Sequence, residues 1–166
     1  MSDEPQNKRG WKSYVPLLVL LALVALAAAA RGMAEPEWRF RAWMNDFMGL
    51  FLVVFSMFKF FDLPGFADGF QRYDLLAKRF RPYALLYPFL ELGLGLAYLS
   101  RFQPTSVHIA TMVLMIFGAI GVFRSLLGGL DIRCACMGTA LNVPLSTVAV
   151  TEDLGMAVMA GVMLWM

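Results

Sequence analysis

Cys134 and Cys136 are the chain's only cysteines, held one residue apart in the run Arg133-Cys134-Ala135-Cys136-Met137-Gly138. A lone cysteine is usually a small buried hydrophobe. A close pair can oxidise, exchange with another disulfide or bind a soft metal. A disulfide across one intervening residue closes a tight, strained ring that should be easily reduced. That suits an exchanging dithiol better than a structural clamp, and Arg133 beside it can lower a thiol pKa. A structural zinc site wants four ligands, and the only histidine, His108, falls at the opposite end of its apolar segment. Two thiolates suit a redox cycle or a soft ion such as Cu(I) better than zinc.

Methionines offer a second chemistry. Met156, Met159, Met163 and Met166 recur at three- and four-residue spacing, which puts them on one helical face. Met159-x-x-x-Met163 is similar to the methionine pair of Ctr-type copper transporters. With Cys134 and Cys136 at one end, such a stripe could pass Cu(I). The alternative is adaptable packing between helices.

Charged groups inside apolar segments also need a reason. A charge in hydrocarbon costs at least about 2.5–3.5 kcal/mol on insertion scales. Glu91 sits mid-segment and so needs a partner, water or a proton. It is either a proton or ion site, or a paired glutamate that locks helices together. Lys59 is followed one turn later by Asp62, which predicts a snorkelling lysine paired with that aspartate. Arg124 can snorkel in the same way. Glu152 and Asp153 follow Thr151 and read as first-turn acids of a helix, or as proton-handling groups. Together these residues suggest a polar vestibule capped by the dithiol. Glu91 and Glu152 would carry protons, with Lys59 and Arg124 as counter-charges and Asp62 and Asp153 as further charge partners.

The elements that must position these groups are transmembrane helices. The chain is 60% hydrophobic and only 16% charged, well outside the soluble range. Apolar segments near the length of about 20 residues that a span requires run from about Trp11 to Ala30, Met44 to Phe61, Tyr83 to Ser100, Val107 to Leu127 and Ser146 to Met166. The first could instead be a signal peptide, but it exceeds the usual apolar core of one. Residues 1–10 are polar and predicted to be a disordered cytoplasmic tail. A net charge of +2 with no basic, aromatic-rich cluster excludes a nucleic-acid partner.

Excess Lys and Arg mark cytoplasmic loops. Lys8, Arg9, Lys12, Arg72, Lys78, Arg79, Arg81 and Arg133 then favour a cytoplasmic N-terminus and a cytoplasmic cysteine loop. Residues 62–82 predict either a surface amphipathic helix, through Phe66, Phe70, Tyr73 and Leu75-Leu76, or a covered loop. Gly93, Gly95, Gly118 and Gly121 are small residues that let membrane helices approach. Pro88, one turn before Glu91, should kink its helix.

In order along residues 47–166, the chain carries Lys59-x-x-Asp62-Leu63, Phe66, Phe70, Tyr73-Asp74-Leu75-Leu76, Tyr87-Pro88-Phe89-Leu90-Glu91 and Gly95-Leu96. It ends with Cys134-x-Cys136-Met137-Gly138, Pro144-Leu145-Ser146 and Glu152-Asp153. This set resembles the MauE/DoxX-like group of redox-associated membrane proteins, named for methylamine utilisation protein MauE. The resemblance implies an all-α integral membrane bundle, with a DoxX-like four-helix domain over residues 44–166 and the N-terminal transmembrane helix, residues 11–30, added to it. It also implies thiol–disulfide handling in a bacterial inner membrane. MauE is associated with maturation of methylamine dehydrogenase, whose small subunit is rich in disulfides, and relatives are linked to glutaredoxin- or thioredoxin-like proteins.

The function expected is thus membrane-embedded thiol–disulfide exchange or reductant transfer through Cys134 and Cys136, like that of an oxidoreductase, supporting maturation of a partner. The alternatives are a Cu(I) carrier, with Cys134, Cys136, Met159 and Met163 as ligands, and a non-catalytic assembly scaffold. Expected partners are the lipid bilayer and a glutaredoxin- or thioredoxin-like protein, with a second copy of the chain left open. No resident cofactor is expected on the preferred reading.

Overall fold

The computed structural model describes residues 15–34, 39–102, 104–127 and 145–166. The polar N-terminal tail, Arg133 and both cysteines lie outside the described residues. Among those described, the chain is helical without strands: α1 (Val15–Met33), α2 (Phe40–Phe61), α3 (Leu63–Phe70), α4 (Arg81–Leu99), α5 (Pro104–Leu127) and α6 (Leu145–Trp165). Four of these, α1, α2, α4 and α5, are long and apolar enough to cross a membrane. The protein is an all-α integral membrane bundle. The segment expected as a fifth span is helix α6, which bears Glu152 and Asp153 and packs chiefly along α5.

Helix starts follow local chemistry. Pro82 lies in the first turn of α4, and Pro104 opens α5. A missing N–H costs nothing at these positions, because the first amides of a helix have no internal acceptor. α2 starts at Phe40, ahead of the expected Met44, and the rings of Phe40, Trp43 and Phe47 stack down its first turns at 5.7 Å spacings. α4 continues through the buried Pro88 as one helix.

The packing is built from pairs. α1 touches the rest mainly through α2. Its buried residues Leu17, Val24, Ala28 and Gly32 fall on one stripe. Leu18, Val19, Leu23 and Leu26 are exposed toward lipid. Two polar contacts fix this helix: Trp43 Nε1 donates to the Ala25 carbonyl at 3.3 Å, and Arg31 Nε pairs with the buried Asp46 at 3.3 Å. In α6, Met156 and Met163 are buried and Met159 is partly buried, and Met166, just past its end, is exposed.

α2 and α4 cross where both lack side chains. A Cβ on Gly95 would stand 3.0 Å from the Gly49 carbonyl oxygen and 3.0 Å from the Val53 backbone nitrogen. Those atoms belong to backbone and cannot yield. Gly93, two residues earlier, has nothing within 4 Å of the same construction. The two glycines therefore have different roles despite their near-identical sequence setting.

α3 covers one end of the bundle. Asp62 caps it, its carboxylate accepting from Gly65 N at 3.0 Å, and Pro64 sits in its first turn. Phe66, Ala67 and Phe70 are buried. The apolar face thus turns into the bundle, and the covered arrangement holds rather than a helix lying on the lipid surface.

Gly95→Ala should lower the unfolding temperature in detergent, by the equivalent of about 1–3 kcal/mol of overpacking. Gly93→Ala should leave it unchanged or slightly higher. Equal effects of the two substitutions would remove the crossing as the reason for Gly95.

Candidate functional site

The chemistry sits beneath α3. Lys59, near the end of α2, is only 3% exposed, and Glu91, midway along α4, only 4%. Their side chains form a buried ion pair and hydrogen bond, Lys59 Nζ donating to Glu91 Oε2. The lysine does not pair with Asp62, as the one-turn spacing predicts. Asp62 is spent on the α3 cap. The partner comes instead from the neighbouring helix, brought close by the glycine crossing.

Aromatic rings complete the ammonium's surroundings. Lys59 Nζ lies 5.5 Å from the Phe66 ring centroid and 5.1 Å from that of Tyr87. These are cation–π distances, and they strengthen when water is excluded. Phe66 stacks on Phe70 at 5.1 Å, and Phe70 meets Tyr87 at 4.6 Å. The Tyr87 hydroxyl also hydrogen-bonds to Glu91, one helical turn further along α4.

The second half of the chain supplies more carboxylates. Glu152 and Asp153 of α6 line the same small cavity as Lys59, Glu91, Tyr73 and Tyr87. Its apolar walls include Phe51, Phe55, Met115 and Val122. Gly118 of α5 leaves the room for this. A Cβ there would come within 3.0 Å of Asp153 Oδ2 and 3.7 Å of the Tyr87 oxygen. The cavity holds about 20 Å³, room for about one water. Among the described residues that line it, Lys59 is the one cation, facing three carboxylates. Such a set, gathered around a water-sized space, can take up, hold and pass a proton.

The connection between α3 and α4 closes this end. Tyr73 and Asp74 are buried. Gly121 of α5 admits their backbone: a Cβ there would lie 3.1 Å from the Tyr73 carbonyl oxygen. Asp74 Oδ1 accepts from Leu76 N at 2.9 Å and Ala77 N at 2.8 Å, which pins the turn. Burial pushes the Asp74 carboxyl up from its usual 3.8, against those two backbone bonds and nearby Lys78, which pull it down.

The structure thus brings Lys59, Glu91, Glu152 and Asp153 together and leaves two predicted members out. Asp62 caps α3, and Arg124 is exposed on α5, away from the cavity. Cys134 and Cys136 lie outside the described residues. Tyr73, Tyr87, Asp74 and Gly118 gain roles that their sequence context alone did not assign. For Tyr87 a signal was present, since it precedes Glu91 by one helical turn.

Fold and site together define an integral membrane helical bundle organised around a buried lysine–carboxylate cluster. The chain belongs to the methylamine utilisation protein MauE family, whose model matches residues 37–166. The matched span takes in α2 to α6. No curated protein and no solved structure matches.

Removing one partner of a buried pair strands the other charge, at a cost of about 3–5 kcal/mol, whereas replacing both can be neutral. Lys59→Met and Glu91→Leu should each strongly lower the unfolding temperature, and the double variant should recover most of the loss. Additive losses in the double variant would show that the two are not coupled. For Asp74 the raised carboxyl pKa has a definite sign. The folded state binds the proton more tightly, so acidification from neutral pH toward 3.8 removes a destabilising charge. Asp74→Asn keeps the acceptor for both amides and should stabilise the protein at neutral pH, with the advantage shrinking as pH falls. Asp74→Ala loses both bonds and should cost about 1 kcal/mol.

Proposed function

We propose that this protein carries out thiol–disulfide exchange or reductant transfer through Cys134 and Cys136, with the buried carboxylate cluster handling the accompanying protons, in support of the maturation of a partner protein. The observation that carries the reading is the convergence of Lys59, Glu91, Glu152 and Asp153 on one cavity. Ionisable side chains gathered around a water-sized space support proton handling, which a protein that only assembled others does not need.

Chain connectivity supports the link to the dithiol. α5 ends at Leu127 and α6 begins at Leu145, and the segment joining them bears both cysteines. From Leu127, the chain to Cys134 can reach about 25 Å. Val122 and Glu152, which line the cavity, lie on those same two helices a short way from those ends. The family's name ties its members to methylamine utilisation, and a disulfide-rich client is the kind of substrate such chemistry would serve.

The exchange balances simply. A thiolate of the pair attacks a partner disulfide, one partner sulfur leaves as thiolate, and the second cysteine attacks the mixed disulfide to release the other. Two electrons pass to the partner, the Cys134–Cys136 disulfide forms, and the two thiol protons lost by the pair appear on the partner's sulfurs. A glutaredoxin- or thioredoxin-like dithiol would reset the pair. Glu91 and Glu152 are the groups suited to hold protons between these steps, with Lys59 as counter-charge. The excess of Lys and Arg supports a cytoplasmic N-terminus, and with it a cytoplasmic cysteine segment, in an inner membrane.

Cys136→Ser and Cys134→Ser should each change the pattern of mixed disulfides with a thioredoxin-fold partner on non-reducing gels, one of them trapping the adduct. The double variant should fail to support maturation. Retained function in the double variant would leave the scaffold reading in its place. Stoichiometric Cu(I) binding that is lost with the cysteines and weakened by Met159→Leu, without any trapped adduct, would favour metal carriage. Glu91→Gln should slow exchange while leaving both thiols reactive toward alkylation.

A further inference from the structure

The turn between α3 and α4 has one side exposed and the other on the carboxylate cavity. Arg72, Leu76, Lys78 and Arg79 are exposed, while Tyr73, Asp74 and Ala77 among them are buried. Tyr73 lines the cavity that holds Lys59, Glu91, Glu152 and Asp153. Asp74, its neighbour in the chain, is 0% exposed. The turn accounts for only half of the Asp74 carboxylate. Oδ1 accepts from Leu76 N and Ala77 N, whereas Oδ2 is buried with no hydrogen-bond partner among the described residues. A turn of this kind needs one side-chain oxygen, which asparagine supplies as well as aspartate. The charge and the second oxygen thus have no use in the turn, and a buried acceptor without a partner is costly.

Two glycines of α5 put that oxygen next to the cavity. A Cβ on Gly121 would lie 3.7 Å from Asp74 Oδ2, and a Cβ on Gly118 would lie 3.0 Å from Asp153 Oδ2 and 3.7 Å from the Tyr87 hydroxyl oxygen. Positions three apart on a helix share a face, with their Cβ atoms roughly 5–6 Å from each other. The two carboxylates therefore lie over adjacent bare patches of α5, at most about 12 Å apart. Tyr83 of α4 feels the charge of both Asp74 and Glu91, and its ring meets that of Tyr87 at 6.0 Å. Lys78 of the turn is the other titratable group acting on Asp74.

We propose that Asp74 is the residue through which protons pass between the water outside and the carboxylate cavity, a role that rests on the reading of that cavity as proton-handling. Small movements of the turn, one chain thick at this point, bring water to Oδ2. Oδ2 takes a proton from that water, gives it to a carboxylate of the cavity across Gly121 and Gly118, and returns to the anion. No electrons move, and the same steps run backward for release. Burial raises the Asp74 carboxyl from its usual 3.8, which brings its proton affinity closer to that of the medium and suits it to transfer. The two backbone bonds to Oδ1 hold the group in place meanwhile.

The test uses the full-length protein in a non-ionic detergent and a light-triggered acid jump from neutral pH, followed by time-resolved infrared spectroscopy of the carboxyl band. The cavity's share of the band is the part lost in Glu91→Gln, Glu152→Gln or Asp153→Asn. In Asp74→Asn, which keeps the turn, that share should reach its full amplitude about 100-fold more slowly. Formate, a small diffusible proton carrier, should restore the rate. Asp68→Asn, which alters an exposed acid at the same end, should leave it unchanged. An unchanged rate in Asp74→Asn would overturn the proposal, as would a slowing that formate does not relieve or a reduced final amplitude, both marks of a structural role. A wild-type protein with no cavity band would remove proton handling altogether, and the proposal with it. The readout needs no thiol partner, so failure of the cysteine variants to trap an adduct would count against exchange and leave the Asp74 route standing.

Discussion

The Lys59–Glu91 pair is the constraint from which the rest of the structure follows. Either charge alone inside a membrane bundle would be costly. Together they fix which face of α2 meets which face of α4. That register is reachable only because Gly49 and Gly95 let the two backbones close to contact. The aromatic face of α3 then excludes water from the pair, and Tyr87 bonds to the carboxylate from the same helix. An ion pair of this kind contributes little net stability compared with apolar residues of the same size. The pair therefore sets the register of α2 on α4 more than it adds to net stability.

The two halves of the bundle meet at this pair in an unsymmetrical way. α2 and α4 bring one positive and one negative group, while α6 brings two further acids. Glycines at 118 and 121 of α5 act on opposite sides of the same aim: one admits the Asp153 carboxylate, and the other admits the Tyr73–Asp74 backbone that roofs the cavity. α5 therefore serves less as a source of polar groups than as a surface cut to receive them. The distribution of charge also gives the molecule two different ends, one with buried carboxylates and one with arginines around a cavity.

The helices were legible in the sequence because hydropathy acts on whole segments, and errors of a few residues at their ends do not alter the outcome. The site was only partly legible. Glu91 announced itself as an acid surrounded by apolar residues. Its partner did not, since a lysine with an aspartate one turn away gives no sign that the aspartate is engaged in capping a different helix. The burial of Phe66 and Phe70 was undecided for a related reason. An apolar face is equally suited to lipid and to a protein interior, and only the position of α4 and Lys59 beneath it settles which it meets. Gly93 and Gly95 show the same limit, because nothing local separates a glycine that faces open space from one that faces another backbone. Asp46, an acid within the first turns of α2, was as visible as Glu91 but drew no attention, and its partner Arg31 lies on a helix outside the matched family region.

That last contact has a consequence for descent. Asp46 is 1% exposed and is met by Arg31 of α1, which otherwise touches little of the bundle. A chain of this family without α1 would leave that carboxylate facing lipid with no counter-charge. The helix and the acid thus depend on each other. Homologues that begin at α2 should have a neutral residue where this one has Asp46, and homologues that keep the aspartate should keep a basic residue one helix earlier.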